Sequence, residues 1–458
     1  MRVEYSGIAE IRGPLIVLDG IKGVGYDEMA EISIPGRERC HGRVIQIDGE
    51  KVILQVFEGT GGFAMDEVNT RFTGRPVTLA LSKEILGRIF DGAGRPLDGL
   101  REVYAEERRD INGSPINPVS REYPRSCILT GISSIDSSAT LIRGQKLPIF
   151  SGAGLSHNDL AAQIVRQAHV DNDDAEFAVV FCAMGVKNDT AEFFRKDFEE
   201  SGSLNRTVMF LNLASDPIIE RILAPRCALT AAEFLAFTHG YHVLVVMTDM
   251  TSYCEALREF SSSKGEIPSR KGFPSYMYSD LASIYERAGI IRGLPGSVTQ
   301  MPILTMPNDD ISHPIPDLTG YITEGQIVLS RELEQKAVYP PVAILPSLSR
   351  LMKDGIGKGF TREDHADLSN QLFAAYSNVA DIRSLASVIG EDELSETDKR
   401  YLEFGRRFEN DFIGQSKRTD RSLGETLDLG WELLSMLPRS ELSRVSDETL
   451  DKYYRQEK

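Results

Sequence analysis

Three nearly unbroken apolar runs constrain this chain more than any other feature. They are residues 177–184 (Phe-Ala-Val-Val-Phe-Cys-Ala-Met), 208–213 (Val-Met-Phe-Leu-Asn-Leu) and 242–249 (His-Val-Leu-Val-Val-Met-Thr-Asp). A strand with one wet face alternates apolar and polar residues. A run that is apolar at almost every position is covered on both faces, as parallel strands are. Helical patterns lie between the runs. One covers residues 160–167. Another is expected to start at Thr230, where Glu233 three residues on reads as a capping box, and to stop at Gly240. Strand and helix in alternation predict a doubly wound α/β sheet within residues 73–350.

The flanks read differently. Residues 1–72 hold short β-rich runs punctuated by glycine. Asp48-Gly49 between two such runs signals a hairpin, and a small β-barrel is the natural closure. Residues 351–458 read as helices. There Tyr401, Phe404, Phe408 and Phe412 recur at three- and four-residue steps, one stripe that serves core packing. The fold class is therefore α/β overall and multidomain, with a barrel at 1–72, an α/β domain at 73–350 and a helical bundle at 351–458.

Charge and cysteine usage narrow the function. The formal charge is −17, and a nucleic-acid groove needs clustered cations, so no nucleic-acid partner is expected. Cys40, Cys127, Cys182, Cys227 and Cys254 are far apart and odd in number, the pattern of reduced thiols in a cytosolic chain. Cys182, inside an apolar run, reads as core. No run reaches the ~18 apolar residues of a membrane span, and the first residues lack the apolar core of a signal peptide, so any membrane link is expected through partners. No metal site is expected.

Residues 145–160 carry the most chemical information. An apolar strand leads through Ser151, Gly152, Ala153 and Gly154 into a helix, the context of a phosphate-binding P-loop. A working P-loop wraps phosphate in backbone N–H groups, places a Lys on the β/γ oxygens and a Ser/Thr hydroxyl on Mg²⁺. The four defining positions fall on Ser151, Ser156, His157 and Asn158, and none matches. His157 is short and largely neutral near pH 7. Asn158 offers an amide instead of a hydroxyl. Asp159 adds negative charge where phosphate would sit. Productive MgATP binding is not expected here, and an ordinary strand–turn–helix without nucleotide ancestry explains these residues as well. Asp249, ending an apolar run, reads either as a Walker-B-like carboxylate or as a common strand-end residue.

Longer motifs decide between these readings. Phe57-Glu58-Gly59-Thr60, residues 86–96 (Leu-Gly-Arg-Ile-Phe-Asp-Gly-Ala-Gly-Arg-Pro) and Gly131-Ile132-Ser133-Ser134-Ile135-Asp136 resemble the rotary ATPase α/β-type superfamily. Ile116-Asn117-Pro118, residues 212–217, 225–233 and 313–326, and Leu345-Pro346-Ser347-Leu348-Ser349-Arg350 resemble its V/A-type B subunits. The resemblance extends to Leu429-Gly430-Trp431-Glu432-Leu433-Leu434, nearly the whole chain, and the lack of long terminal extensions points to a prokaryotic member.

The resemblance implies a RecA-like central domain and an alternating ring with catalytic A subunits that keep the intact loop. In that ring, ATP or ADP with Mg²⁺ binds at the A/B interface, held mainly by the catalytic partner. Val186 stands where the catalytic relative has Glu, a second loss beside the loop. Arg350 matches the family's arginine finger, given in trans to the neighbour's ATP. Tyr321, Glu324, Ser347 and Ser349 are implied at the interface, although Tyr321 and Glu324 also read as turn residues. Residues 392–398 (Asp-Glu-Leu-Ser-Glu-Thr-Asp) resemble the acidic rotor contact and equally read as a solvated helix start. Ala343 departs from the Asp or Asn usual there, and residues 263–265 from a more Arg-rich stretch. Central-stalk, peripheral-stalk and membrane-sector partners follow, with the chain on the cytoplasmic face of the membrane. Two rivals stand beside this expectation: a structural pseudo-ATPase without a finger, and a self-sufficient catalytic or export ATPase.

Overall fold

A computed structural model of the chain describes residues 4–36, 39–170 and 176–455. The chain divides into two compact units, Met1–Pro115 with Ala178–His239 and Met247–Arg287, and Ile116–Phe177 with Gly240–Val246 and Ala288–Lys458.

In the first unit, seven antiparallel strands form one sheet in the order Glu4–Ser6, Asn69–Pro76, Glu28–Ser33, Cys40–Asp48, Lys51–Val56, Leu15–Leu18, Glu10–Arg12. The two outermost strands are consecutive in the chain. Gly7–Ala9 joins them, with Gly7 N donating to Val68 O, Ile8 N to Met65 O and Ala9 N to Val17 O. Those bonds leave little edge open, which is how a barrel protects its strands. The expected hairpin is present, with Asp48 opposite Lys51 across a two-residue turn. Ile16, Leu18, Ala30, Ile32, Val44, Leu54 and Val56 fill the interior.

The same unit holds three of the parallel strands. Thr207–Leu213 lies between Phe177–Val186 and Ile89–Asp91. Every residue of Val208–Phe210 and Ala178–Met184 is buried, as the unbroken apolar runs require. Cys182 is fully buried, and burial pushes its thiol well above the ordinary value.

The helix expected to begin at Thr230 is a correction. It spans Ile218–His239, so Thr230 lies in its interior and its hydroxyl donates back to Arg226 O at 2.8 Å. Glu233 faces Arg287 instead of closing a box, accepting from its Nε at 2.6 Å and Nη2 at 2.7 Å. A capping-box spacing recurs by chance inside any long helix, and here a fully buried guanidinium claims the Glu. The expected stop at Gly240 holds.

In the second unit, Ile149–Gly152 is central among parallel neighbours Ser297–Met306 and Gly325–Leu329, with Val342–Ser349 antiparallel to the latter. The strand His242–Thr248 is buried throughout. The C-terminal helices are His365–Ile389, Glu396–Arg407, Leu423–Leu434 and Asp447–Tyr453. The aromatic stripe is core, as expected. A π-helical stretch, Phe408–Ile413, continues the second of these helices. Phe404 and Phe408 stack at 5.6 Å, Phe408 and Phe412 at 5.0 Å, and all three are fully buried. Ser395 and Asp398 form a capping box at the start of Glu396–Arg407, while Asp392 and Glu393 stay exposed. No helix among the described residues is long and apolar enough to cross a membrane.

Candidate functional site

The altered loop is a strand–turn–helix, as expected: strand Ile149–Gly152, then helix His157–Gln167. Three of its amides are committed inside the protein. Leu155 N donates to Gly152 O, His157 N to Leu155 O, and Ser156 N to Glu334 Oε2 at 3.3 Å. The Ser156 hydroxyl donates to the same carboxylate oxygen at 2.8 Å. A helix N-terminus attracts an anion, and here the chain's own Glu334 supplies one. His157 turns back, its Nδ1 paired with Ser151 Oγ at 2.9 Å. Asp159 pairs with Lys417 at 2.9 Å.

The other side of the turn is clamped. Arg331 grips Asp309 through Nε at 2.6 Å and Nη2 at 2.8 Å, and that Nη2 also donates to Ala153 O at 3.0 Å. Gly152 is required at this point, since a Cβ there would fall 2.1 Å from Asp309 Oδ1. Gly154 lies in the turn and Asn158 in the first turn of the helix, and neither adds a cation. The loop therefore does not fit a triphosphate with Mg²⁺: a carboxylate occupies the anion position and the Lys is missing. Glu334 lies 178 residues from Ser156, and no sequence spacing announced it.

Asp249 follows its strand directly and caps the helix Met250–Ser263, accepting from Thr251 N at 2.8 Å. Val186 ends its strand and has no group that could hold water. Among the described residues, no group of three or more His, Cys, Asp or Glu side chains is arranged to hold a metal ion.

Arg350 stands at the end of Val342–Ser349, exposed, and its guanidinium makes no hydrogen bond or ion pair among the described residues. Its backbone is fixed, with Arg350 N donating to Glu324 O at 2.9 Å. Leu348, in the strand before it, is 50% exposed, and Tyr321, in the helix Pro314–Ile322, is 78% exposed. Ser347 and Ser349, expected at an interface, point inward. Ser347 Oγ donates to Ala343 O at 2.6 Å and accepts from Val328 N. Ser349 Oγ donates to Thr140 O at 2.8 Å. The alternation along the strand explains this, since Leu348 and Arg350 face out when Ser347 and Ser349 face in. Glu324 pairs with Lys146 at 2.7 Å.

A barrel, a parallel α/β domain with a P-loop-like turn and a C-terminal helical bundle define a class, the three-part nucleotide-binding subunits of ATP synthases. Comparison with known proteins agrees. Residues 8–68 match the ATP synthase alpha/beta family, beta-barrel domain, residues 131–349 its nucleotide-binding domain, and residues 354–454 the C-terminal domain of V and A type ATP synthase. The chain is 62% identical to V-type ATP synthase beta chain 2 of Clostridium tetani, over all of both chains. It is 62% identical to V-type ATP synthase beta chain of Halothermothrix orenii, over 99% of this chain and 98% of that one. A solved structure, described as a unique ATP synthase subunit NeqB from Nanoarcheaum equitans, superposes with a TM-score of 0.74 at 39% identity, covering 93% of this chain and 100% of that one. The chain belongs to the V/A-type beta-chain branch of the ATP synthase alpha/beta family, and so to a multi-subunit ATPase complex.

Proposed function

We propose that the chain is the non-catalytic B subunit of a V/A-type rotary ATPase, alternating with a catalytic A subunit in a three-plus-three ring. One observation carries the reading: Arg350 presents an exposed guanidinium with no partner among the described residues, on an anchored backbone, while Glu334 holds Ser156 of the chain's own loop. The guanidinium meets the γ-phosphate of ATP held with Mg²⁺ by the catalytic partner. There it offsets the charge that develops during phosphoryl transfer, a role worth roughly 10³- to 10⁵-fold in rate in GTPases. Opening and closing of the A/B interface moves the C-terminal helices against the central stalk, with peripheral-stalk subunits resisting, and couples ATP turnover to ion flow through a membrane sector. The chain lies on the cytoplasmic face of that membrane through the complex. Its domain limits in this reading are 1–72, 73–350 and 351–458.

The test is steady-state ATPase activity of the reconstituted A/B ring with Arg350→Ala. Activity falls by at least about 10²-fold with the ring intact. Undiminished turnover in an assembled mutant ring would leave the chain as a scaffold without a finger.

A further inference from the structure

A free guanidinium is useful only if its Cα is held. Arg350 is the first residue past the last strand pair, Gly325 with Ser349, so the sheet no longer positions it. What does is Glu324 O, which accepts from Arg350 N at 2.9 Å. Glu324 is in turn tied to Lys146 through both side chain and backbone. Lys146 Nζ reaches Glu324 Oε1 at 2.7 Å, Lys146 N donates to Oε2 at 2.9 Å, and Glu324 N donates to Lys146 O at 3.1 Å.

Lys146 is 4% exposed and the Glu324 side chain 30% exposed, so a buried lysine meets a half-buried carboxylate. Its anchor is the central sheet. Gln145 and Lys146 run beside Gln300, with Gln300 N donating to Gln145 O at 2.8 Å and Leu147 N to Gln300 O at 2.9 Å. Gln145 Nε2 bridges Glu324 O at 3.1 Å and Ser349 Oγ at 3.0 Å, a second tie across the same three segments. Gly325 lets them close, since a Cβ there would meet Leu348 O at 2.0 Å.

We infer that the Lys146–Glu324 pair is the positioning device of Arg350. It transmits the rigidity of the central sheet to the finger through one carbonyl. Burying the Lys146 charge is a poor way to gain stability, because its desolvation offsets most of the attraction to Glu324. Fixed placement of a reacting group is a better reason, since ~1 Å of misplacement costs about 10²-fold in rate. The inference rests on the finger reading of Arg350 and adds two residues to it.

The experiment is a double-mutant cycle on ATP turnover by the reconstituted A/B ring. Lys146→Met and Glu324→Gln are made together, so that no charge is left buried alone, and are combined with Arg350→Ala. The expected result is a fall in kcat of about 10-fold for the paired change with KM for ATP within about twofold, the split of an interaction that matters in the transition state. Added to Arg350→Ala, the paired change costs nothing further. If it multiplies the Arg350→Ala loss, or leaves kcat untouched while Arg350→Ala lowers it, the positioning role is wrong and the finger stands. If Arg350→Ala itself leaves kcat intact, the finger reading fails first. Should the paired variant not assemble, Glu324→Asp is read in the same cycle with the same criteria, since it keeps both charges but withdraws the carboxylate from Lys146 N.

Discussion

His365 shows how one side chain ties pH to stability. It is fully buried at the head of the helix His365–Ile389, its Nε2 facing Ser137 O at 3.1 Å and its Nδ1 facing Thr361 Oγ1 at 3.1 Å. Burial drives its pKa from 6.5 down to about 4, against the opposing pull of the Ser137 carbonyl and Asp364. The unfolded chain therefore binds a proton between about pH 6.5 and 4 that the folded chain refuses. Stability from this group is complete above pH 6.5 and is lost as pH falls through the window, on the order of 3 kcal/mol in all. His365→Gln is expected to flatten the denaturant-midpoint profile between pH 6.5 and 4. An unchanged slope would mean that other groups set it. Asp136, next to Ser137 in the chain, has the opposite sign. Burial lifts it from 3.8 to about 6, so its contribution is present at low pH and is lost as pH rises through 6. At the same scale, Arg350 and Asp249 were both legible as residues but not as roles. Asp249 proved to be a helix cap. Arg350 is exposed, and its guanidinium has no partner among the described residues.

Elements carry the next two expectations. The stacked Phe404, Phe408 and Phe412 stitch the helix Glu396–Arg407 and its π-helical continuation into the core, with Tyr376 against Phe408 at 4.9 Å. Phe408→Ala should cost about 3–5 kcal/mol in urea unfolding. A cost below about 1 kcal/mol would show that the site collapses around the gap. In the loop, sequence repair alone should fail. His157→Lys with Asn158→Thr restores the cation and the hydroxyl but leaves the Glu334 carboxylate on Ser156 N. Equilibrium dialysis is expected to find no MgATP bound by that double variant, and measurable binding once Glu334→Ala is added. Equal binding by both would remove Glu334 from the explanation. The stripe and the strand–turn–helix were readable locally, because periodicity and glycine spacing act over a few residues. The capping box at Thr230 failed for the same reason. A four-residue pattern does not report that it sits inside a 22-residue helix.

On the scale of the whole molecule, the proposed function makes ATP turnover a property of the assembly, since the chain combines a nucleotide-binding fold with a loop whose Ser156 is held by Glu334. Purified alone it should not hydrolyse ATP. If Arg350 acts as proposed, titrating the chain into a fixed amount of the catalytic partner should raise the ATPase rate to a plateau at one chain per catalytic chain. Saturation at a clearly lower ratio would argue against a finger at every site. The sequence by itself determined the kind of elements and their order. Apolar runs, glycine turns and helical stripes reflect local geometry and burial, and family motifs span almost the full length. Only the tertiary structure decided which side chains meet. Glu334 reaches Ser156 across 178 residues, and Lys146 N reaches Glu324 across the same separation. Such partners are brought together by the crossing of strands in the sheet, and nothing in the local physics of either segment names the other.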